Sequence, residues 1–216
     1  MKTIKLLLVM VAFTLPIVSF SQVQNRNGKN YEQPVQVDST DYYLIPKLVD
    51  KTNRAKYGSG NNYYNGYGVV TDLYMYNSKT KSSKNLFGNK FCLISPIGYS
   101  YYRNYYGNTN AGTAILKNEI LVSAKTTDIN NDGIMDDDDP TYIYMTDLKG
   151  ENLRQITPDN MTVISWSLST DDKTILVILK KDTTGNKNCE DEDELLYQIN
   201  LDKDISKITI APVELK

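Results

Sequence analysis

One twelve-residue segment, residues 128–139 (DINNDGIMDDDD), combines residue types and spacing that could bind a metal ion. Counted from its first residue, side-chain oxygens fall at positions one, three, five, nine and twelve, with a glycine at position six. Calcium takes about six to eight hard oxygen ligands from loop positions spaced in this way. The predicted ligands are the side chains of Asp128, Asn130, Asp132, Asp136 and Asp139, and the backbone carbonyl of Ile134.

The alternative interpretation is an acidic turn without an ion, because Asp and Asn are common in turns. Crowding favours the ion, since six carboxylates in this segment repel one another unless a cation neutralises them. The segment resembles the calcium loops of EF-hand and dockerin modules, in which position eight, here Met135, points into the protein. Its last ligand is the short Asp139, which predicts a weak extracellular type of site, on the order of 10⁻⁴ to 10⁻³ M, with Mg²⁺ as a competitor.

Short strands must position this loop. Residues 120–125 are apolar or β-branched and lead into it, and a hairpin at residues 143–157 follows it. The hairpin pattern, a strand with Tyr in second place, a polar turn and a basic residue, recurs at residues 73–87 and 196–210. Three copies in register predict an internal repeat. In the third copy the predicted strands are residues 161–168, 174–180, 194–200 and 205–210.

A second twelve-residue segment, residues 182–193 (DTTGNKNCEDED), occupies the corresponding place in the third copy. It keeps the outer acids Asp182, Glu190 and Asp193, but Lys187 stands at position six in place of the glycine. The segment is interpreted as a decayed copy of the first loop. The Lys187 ammonium counts against a bound ion there.

Residues 150–178 (GENLRQITPDNMTVISWSLSTDDKTILVI) resemble the TolB-like β-propeller repeat. That pattern has a Gly-led outer strand ending in Ile-Thr, a Trp-Ser inner strand and an Asp-Gly-Lys turn. Trp166 and Ser167 match the inner strand, and Lys173 matches the turn, where Asp172 replaces the glycine. The resemblance implies a propeller-like fold with a binding role, and it carries no catalytic residues.

The predicted fold is therefore all-β, a propeller-like array of about three antiparallel four-stranded blades. Closed propellers have at least about four blades, so three alternatives stay open: a partial or open propeller, completion by another chain, or a different stacking. Exposed sheet edges template pairing with other chains. Self-association through sheet edges is accordingly expected.

Residues 1–21 predict a secretory signal peptide, with Lys2 and Lys5 before an apolar core and small residues at the cleavage site. A linker at residues 22–39 and the repeat domain at residues 40–216 follow. The predicted location is periplasmic or secreted, where millimolar calcium can fill a weak site. No further apolar stretch reaches the length of a membrane span.

Charge excludes one class of partner. Beyond the predicted signal, 22 basic and 26 acidic residues give a net charge of −4. The sequence has no concentrated basic stripe, and an acidic chain gains nothing from neutralising phosphates. We expect no nucleic-acid binding. The two cysteines, Cys92 and Cys189, could form a disulfide in an oxidising compartment, but the sequence does not require one.

The catalytic residues that most hydrolases use are missing from the sequence. The chain has no histidine, which removes the usual general base and the commonest zinc ligand. A glycosidase can work with two carboxylates, but only Glu119 stands out as a lone acid beside an apolar strand, and it is interpreted as a strand-entry residue. We expect no enzymatic activity.

Tyrosines are the other candidate functional residues. Nine of the 17 fall within residues 57–67 and 99–106. Tyrosine offers a flat apolar face with a polar tip, suited to sugars or protein partners, although it also simply favours strands. The candidate contact residues are Tyr101, Tyr102, Arg103, Tyr105 and Tyr106.

Two functions from different classes remain. The first is a calcium-stabilised module that binds a protein or glycan at the cell envelope. The second is a carboxylate-based polysaccharide hydrolase. The lack of an isolated acid pair favours the first.

Overall fold

The computed structural model describes residues 31–49, 51–57, 70–88, 90, 92–94, 113–186, 189, 192–202 and 204–215. In these ranges the protein is all-β, as the sequence predicts, with thirteen strands that pair antiparallel. The predicted signal peptide and residues 22–30, the first half of the predicted linker, lie outside the described residues. In the second half of that linker, Val35–Gln36 pairs with the first long strand. No helix in the described part is long and apolar enough to cross a membrane.

The strands form three antiparallel four-stranded sheets in chain order. Sheet 1 contains β1 (Val35–Gln36), β2 (Tyr42–Leu48), β3 (Val70–Asn77) and β4 (Ser82–Asn85). The short β5 (Leu93–Ile94) bonds to both β3 and β7 and so joins sheets 1 and 2. Sheet 2 contains β6 (Thr113–Ile115), β7 (Glu119–Lys125), β8 (Thr141–Asp147) and β9 (Arg154–Gln155). Sheet 3 contains β10 (Met161–Leu168), β11 (Thr174–Lys181), β12 (Glu194–Asn200) and β13 (Thr209–Pro212).

The three sheets stack face to face through two hydrophobic cores. In the first core, Leu44, Leu73 and Met75 of sheet 1 pack with Ile120 and Val122 of sheet 2. In the second, Leu121, Ile143 and Met145 of sheet 2 pack with Trp166, Val177 and Ile199 of sheet 3. Successive side chains of a strand point to opposite faces. The middle sheet is therefore buried on both sides, which explains why β7 is a nearly continuous apolar run.

A buried hydrogen bond ties the second interface together. The indole Nε1 of Trp166 donates to the Ser123 hydroxyl at 2.9 Å, so the one polar side chain on the centre of β7 is satisfied across the interface. Burying a hydroxyl without a partner would cost about 1 to 3 kcal/mol. This contact fixes the register of sheet 3 on sheet 2.

Two turn residues in the segment that resembles the TolB-like repeat have left-handed backbone. Gly150 has a φ of 70°, and a Cβ there would lie 2.5 Å from Leu86 Cδ2, so only glycine lets the turn after β8 approach sheet 1. Asp172 has a φ of 57° in the turn between β10 and β11. Asp tolerates this conformation better than most residues, which explains how it can replace a glycine.

One predicted strand is wrong. Residues 205–210 were expected to be extended, but Ile205–Lys207 forms a 3-10 helix and the strand begins at Thr209. The cause is Asp204, whose Oδ1 accepts from the Ser206 backbone N–H at 3.1 Å and from its hydroxyl at 2.7 Å. Such local bonds compete with strand pairing. Lys207 consequently pairs with Asp204 at 3.3 Å instead of lying in a strand.

Candidate metal centre

The predicted calcium loop connects two paired strands of the middle sheet. β7 ends at Lys125 and β8 begins at Thr141, where Lys125 and Thr141 face each other. The loop turns sharply through Asn131, with a φ of 59°, and Gly133, with a φ of 80°. A Cβ at Gly133 would meet no atom within 4 Å, so the glycine serves backbone conformation and not close packing.

The first three predicted ligands converge on this turn. Asp128 accepts from the backbone N–H of Asp132 at 3.2 Å and of Gly133 at 2.8 Å. Asn130 Oδ1 also accepts from Asp132 N–H at 3.0 Å, and its amide nitrogen donates to Asp132 Oδ2 at 3.3 Å. Asp132 Oδ1 accepts from Ile134 N–H at 2.7 Å. Side-chain oxygens at positions one, three and five thus lie around one short stretch of backbone.

Asp139, the last predicted ligand, closes the loop. Its Oδ1 accepts from Ile129 N–H at 2.9 Å and its Oδ2 from Asp136 N–H at 3.0 Å, so one carboxylate bridges both ends of the segment. Asp139 is only 2% exposed. Burial raises its pKa, which the two backbone N–H groups oppose, and the negative charges of Asp128 and Asp136 raise it further. The structure therefore brings Asp139, Asp136 and Asp128 into one electrostatic cluster.

Met135 at position eight anchors the loop, as predicted. Its side chain is 1% exposed. Its backbone N–H donates to the Lys56 carbonyl at 2.9 Å, and it forms a parallel bridge with Tyr57. Lys56 ends a 3-10 helix, Lys51–Lys56, that lies between β2 and β3 of sheet 1 in the chain. The loop thus connects sheet 2 to a segment that belongs to sheet 1.

Lys125 is the residue of this centre that the sequence reasoning missed. Its ammonium donates to the backbone carbonyl of Asp139. Burial lowers the pKa of Lys125, while the carboxylates of Asp137 and Asp139 oppose that effect. A signal was present in the sequence, because a lysine ends the strand that leads into each of the two acidic segments. The ammonium offsets part of the negative charge without using the predicted ligand oxygens.

The donor set fits a hard cation, but it is not gathered into a finished cage. Among the described residues, no group of three or more acidic, cysteine or histidine side chains is arranged to hold a metal ion. Each carboxylate of the predicted ligand set accepts one or two backbone N–H bonds, whereas an ionised carboxylate can accept about four. Oxygen lone pairs of these carboxylates therefore remain for an ion.

The second acidic segment is described only in part, since Lys187 and Glu190 lie outside the described residues. Asp182 accepts from Gly185 N–H at 2.6 Å, and Gly185 has a φ of 72°. Glu192 accepts from the Thr183 backbone N–H and hydroxyl, which holds its pKa below the ordinary value. The turn glycine is thus Gly185 at position four. The interpretation as a decayed loop stays a prediction.

The two cysteines are free thiols in this structure. Cys92 is buried, and its Sγ donates a hydrogen bond to the Thr71 carbonyl at 3.1 Å. Burial raises the pKa of this thiol to about 12. Cys189 is partly buried, and burial also raises its pKa. Neither thiol has the depressed pKa that a reactive cysteine needs.

Asp72 on β3 is a buried acid that the sequence reasoning overlooked when it singled out Glu119. It is 4% exposed, and burial raises its pKa. Its contacts are structural: it accepts from Leu73 N–H at 2.9 Å and from the Asn85 amide. Asn85 in turn caps the next turn by accepting from Phe87 N–H at 2.9 Å. Glu119 is the first residue of β7, as predicted for a strand-entry residue.

The predicted contact residues Tyr101, Tyr102, Arg103, Tyr105 and Tyr106 lie outside the described residues. Of the first tyrosine-rich stretch, Tyr57 is described. Burial raises its pKa to about 12, with the Cys92 and Asp72 charges adding to the effect. Tyr57 is partly buried, and its backbone forms the bridge with Met135.

No family model, curated protein or solved structure matches the chain.

A pH-dependence follows from the buried Asp139. Because its folded-state pKa is raised, the stability that it contributes is present below the unfolded pKa and is lost as pH rises through the folded pKa. In EDTA, the melting temperature of Asp139→Asn relative to the wild type should therefore increase between about pH 3.5 and pH 7. Thermal unfolding at several pH values measures this difference. A difference that stays constant with pH would contradict the assignment.

Proposed function

We propose that the protein is a secreted or periplasmic calcium-binding module that binds a protein or glycan at the cell envelope, with calcium in a structural role. The observation that carries the proposal is the convergence of Asp128, Asn130 and Asp132 on the turn at Gly133, with Asp139 closing the loop. Hard oxygen donors in this arrangement suit Ca²⁺, with Mg²⁺ as the competitor.

The structural role follows from where the loop is attached. Met135 connects it to Lys56 and Tyr57, and Lys125 and Thr141 connect it to sheet 2. An ion that neutralises the carboxylates would therefore stabilise the junction between two sheets. The proposed ligand set is Asp128, Asn130, Asp132, Asp136, Asp139 and the Ile134 carbonyl.

We infer a propeller-like arrangement of the sheets. Its support is that three antiparallel four-stranded sheets follow one another in chain order and pack face to face. Propellers commonly present loops for binding, and the tyrosine-rich residues 99–106 are the proposed contact surface.

Direct calcium binding tests the proposal. Isothermal titration should give one calcium site of weak affinity, on the order of 10⁻⁴ to 10⁻³ M, in the wild type. Asp128→Ala should remove it. Asp137→Ala is the matched control, because it deletes an equal charge from the same acidic run at an exposed position that is not a predicted ligand. Equal affinity in the two variants would indicate diffuse attraction of counterions and not a site.

The competing function, a carboxylate-based hydrolase, would have to use a buried acid such as Asp72, whose raised pKa is a property of general acids. Its observed contacts are with Leu73 and Asn85 of the same sheet, which favours a structural role. Turnover of an envelope polysaccharide by the purified protein, lost in Asp72→Asn, would establish the hydrolase instead.

A further inference from the structure

The three sheets are equivalent in structure as well as in sequence, because corresponding residues of the repeat lie on corresponding faces of the sheets. We call the face that packs on the following sheet the forward face, and the opposite one the back face. Leu44 and Leu121 lie on the forward faces of sheets 1 and 2, opposite Met75 and Met145 respectively. Both leucines are fully buried by the next sheet.

The corresponding leucine of sheet 3 is exposed. Leu176 of β11 lies opposite Gln198, at the position that Leu121 holds opposite Met145. It points away from Val177 and Ile175, which pack on sheet 2, and it is 45% exposed. Sheet 3 therefore has a forward face of the buried type that no further sheet covers among the described residues.

This forward face is an apolar patch with a charged margin. Ile178 lies on the same side of β11, and Leu196 faces it from β12. The bulge between Val163 and Ser165 turns Ile164 outward, where it is 44% exposed. Lys180 and Glu194 face each other at one end of the patch. Exposed apolar patches of this kind mark interaction surfaces.

The back faces show what such a patch accepts. Tyr144 and Tyr197 occupy the second position of the hairpin repeat, and both pack toward the preceding sheet. In sheet 2 the contact is direct, since Tyr144 meets Phe87 of sheet 1 edge to face at 5.3 Å. A tyrosine-bearing back face is thus the surface that a leucine-bearing forward face packs against.

Sheet 1 has such a back face, and no sheet precedes it among the described residues. Part of this face is in contact with Tyr31, whose ring meets Tyr74 edge to face at 6.2 Å. Tyr74 holds the repeat position of Tyr144, and Tyr76, Tyr43 and Ile45 lie on the same side of β2 and β3. These side chains are only partly buried. Among the described sheets, sheet 1 therefore presents a back face and sheet 3 a forward face of matching chemistry.

We propose that the forward face of sheet 3 packs on the back face of sheet 1 of a second copy of this chain, and that two such contacts close a ring of six sheets. Copies joined by repeated head-to-tail contacts form either a closed ring or an open polymer. Closed rings of such sheets contain roughly four to eight. The three described sheets of two copies make six, whereas those of one copy or of three copies fall outside this range. The inference depends on the stacking of the sheets and not on calcium, so either proposal can fail without the other.

Light scattering coupled to size-exclusion chromatography tests the ring. At about 100 µM protein, the wild type should have twice the mass of a single chain. Leu176→Lys places a charge on the forward face of sheet 3 in both copies, and Tyr76→Lys places one on the back face of sheet 1 in both copies. Each variant alone should therefore have the mass of one chain. An equimolar mixture of the two variants should recover a 1:1 complex, because one undamaged forward face then meets one undamaged back face.

Leu215→Lys is the control, since Leu215 is 83% exposed and lies after the last strand; this variant should keep the mass of two chains. Far-ultraviolet circular dichroism should show that all variants are folded, and Gln198→Lys on the same forward face replaces Leu176→Lys if that variant does not fold. A wild type with the mass of one chain overturns the proposal. So does a Tyr76→Lys variant that keeps twice that mass, which would mean that forward faces pair with each other, and so does a mixture that recovers no complex.

Discussion

Leu121→Ala should lower the free energy of unfolding by about 2 to 5 kcal/mol, because the side chain is removed from a packed interface and leaves a cavity. Leu121 is fully buried between sheets 2 and 3. Leu176→Ala, at the same position of the next repeat, should cost less than about 1 kcal/mol, since that side chain is already half exposed.

Urea unfolding of the two variants measures this difference. The comparison should be made in the Tyr76→Lys background, in which the proposed contact between copies cannot form and Leu176 stays exposed. The pair is matched in residue type, substitution and position in the repeat, so burial by the next sheet is the variable. Equal losses of stability in the two variants would show that the face assignment of β7 and β11 is incorrect.

Strand positions could be predicted where alternation and β-branched residues define them. β10, β11 and β12 lie at Met161–Leu168, Thr174–Lys181 and Glu194–Asn200, within one residue of the strands predicted for the third copy. The error at Ile205–Lys207 has a local cause, since the Asp204 side chain bonds to Ser206 and stabilises a turn where hydropathy alone suggested a strand. Side-chain bonds to nearby backbone are not visible in an apolar pattern.

The stacking of sheets was less accessible from the sequence. A repeat of hairpins indicates equivalent sheets, but which face of each is covered depends on contacts between residues far apart in the chain. Trp166 bonding to Ser123 is such a contact. The two residues belong to different copies of the repeat, and nothing about a tryptophan in one strand predicts a serine partner in another.

Within the candidate centre, spacing identified the residues of the turn and their convergence, together with the inward position of Met135. The calcium-loop pattern itself does not include Lys125, which lies three positions before it; the sequence signal for this residue is the lysine that ends the strand before each acidic segment. The attachment of Met135 to Lys56 was also hidden, since it joins segments from different sheets. Local patterns predict the loop, and only the fold shows what the loop connects.

Calcium should raise the melting temperature of the wild type. Binding to the folded state alone adds RT ln(1 + [L]/Kd), so about 2 mM calcium on a site of about 0.2 mM contributes about 1.4 kcal/mol. For a chain of this size that corresponds to a shift of about 3 to 6 °C relative to EDTA. The attachment of the loop to both sheets through Met135 and β7 allows the ion to stabilise the whole fold and not just the loop.

Differential scanning calorimetry of three variants assigns this shift to the first loop. Asp128→Ala should abolish it, because Asp128 supplies two of the oxygens around the turn. Asp137→Ala should keep it, since an exposed carboxylate outside the predicted ligand set contributes only screened attraction. Asp182→Ala should keep it as well if the second segment is a decayed copy. An identical melting temperature of the wild type in EDTA and in millimolar calcium would remove the basis for a structural ion, whereas loss of the shift in Asp182→Ala alone would move the site to the second segment.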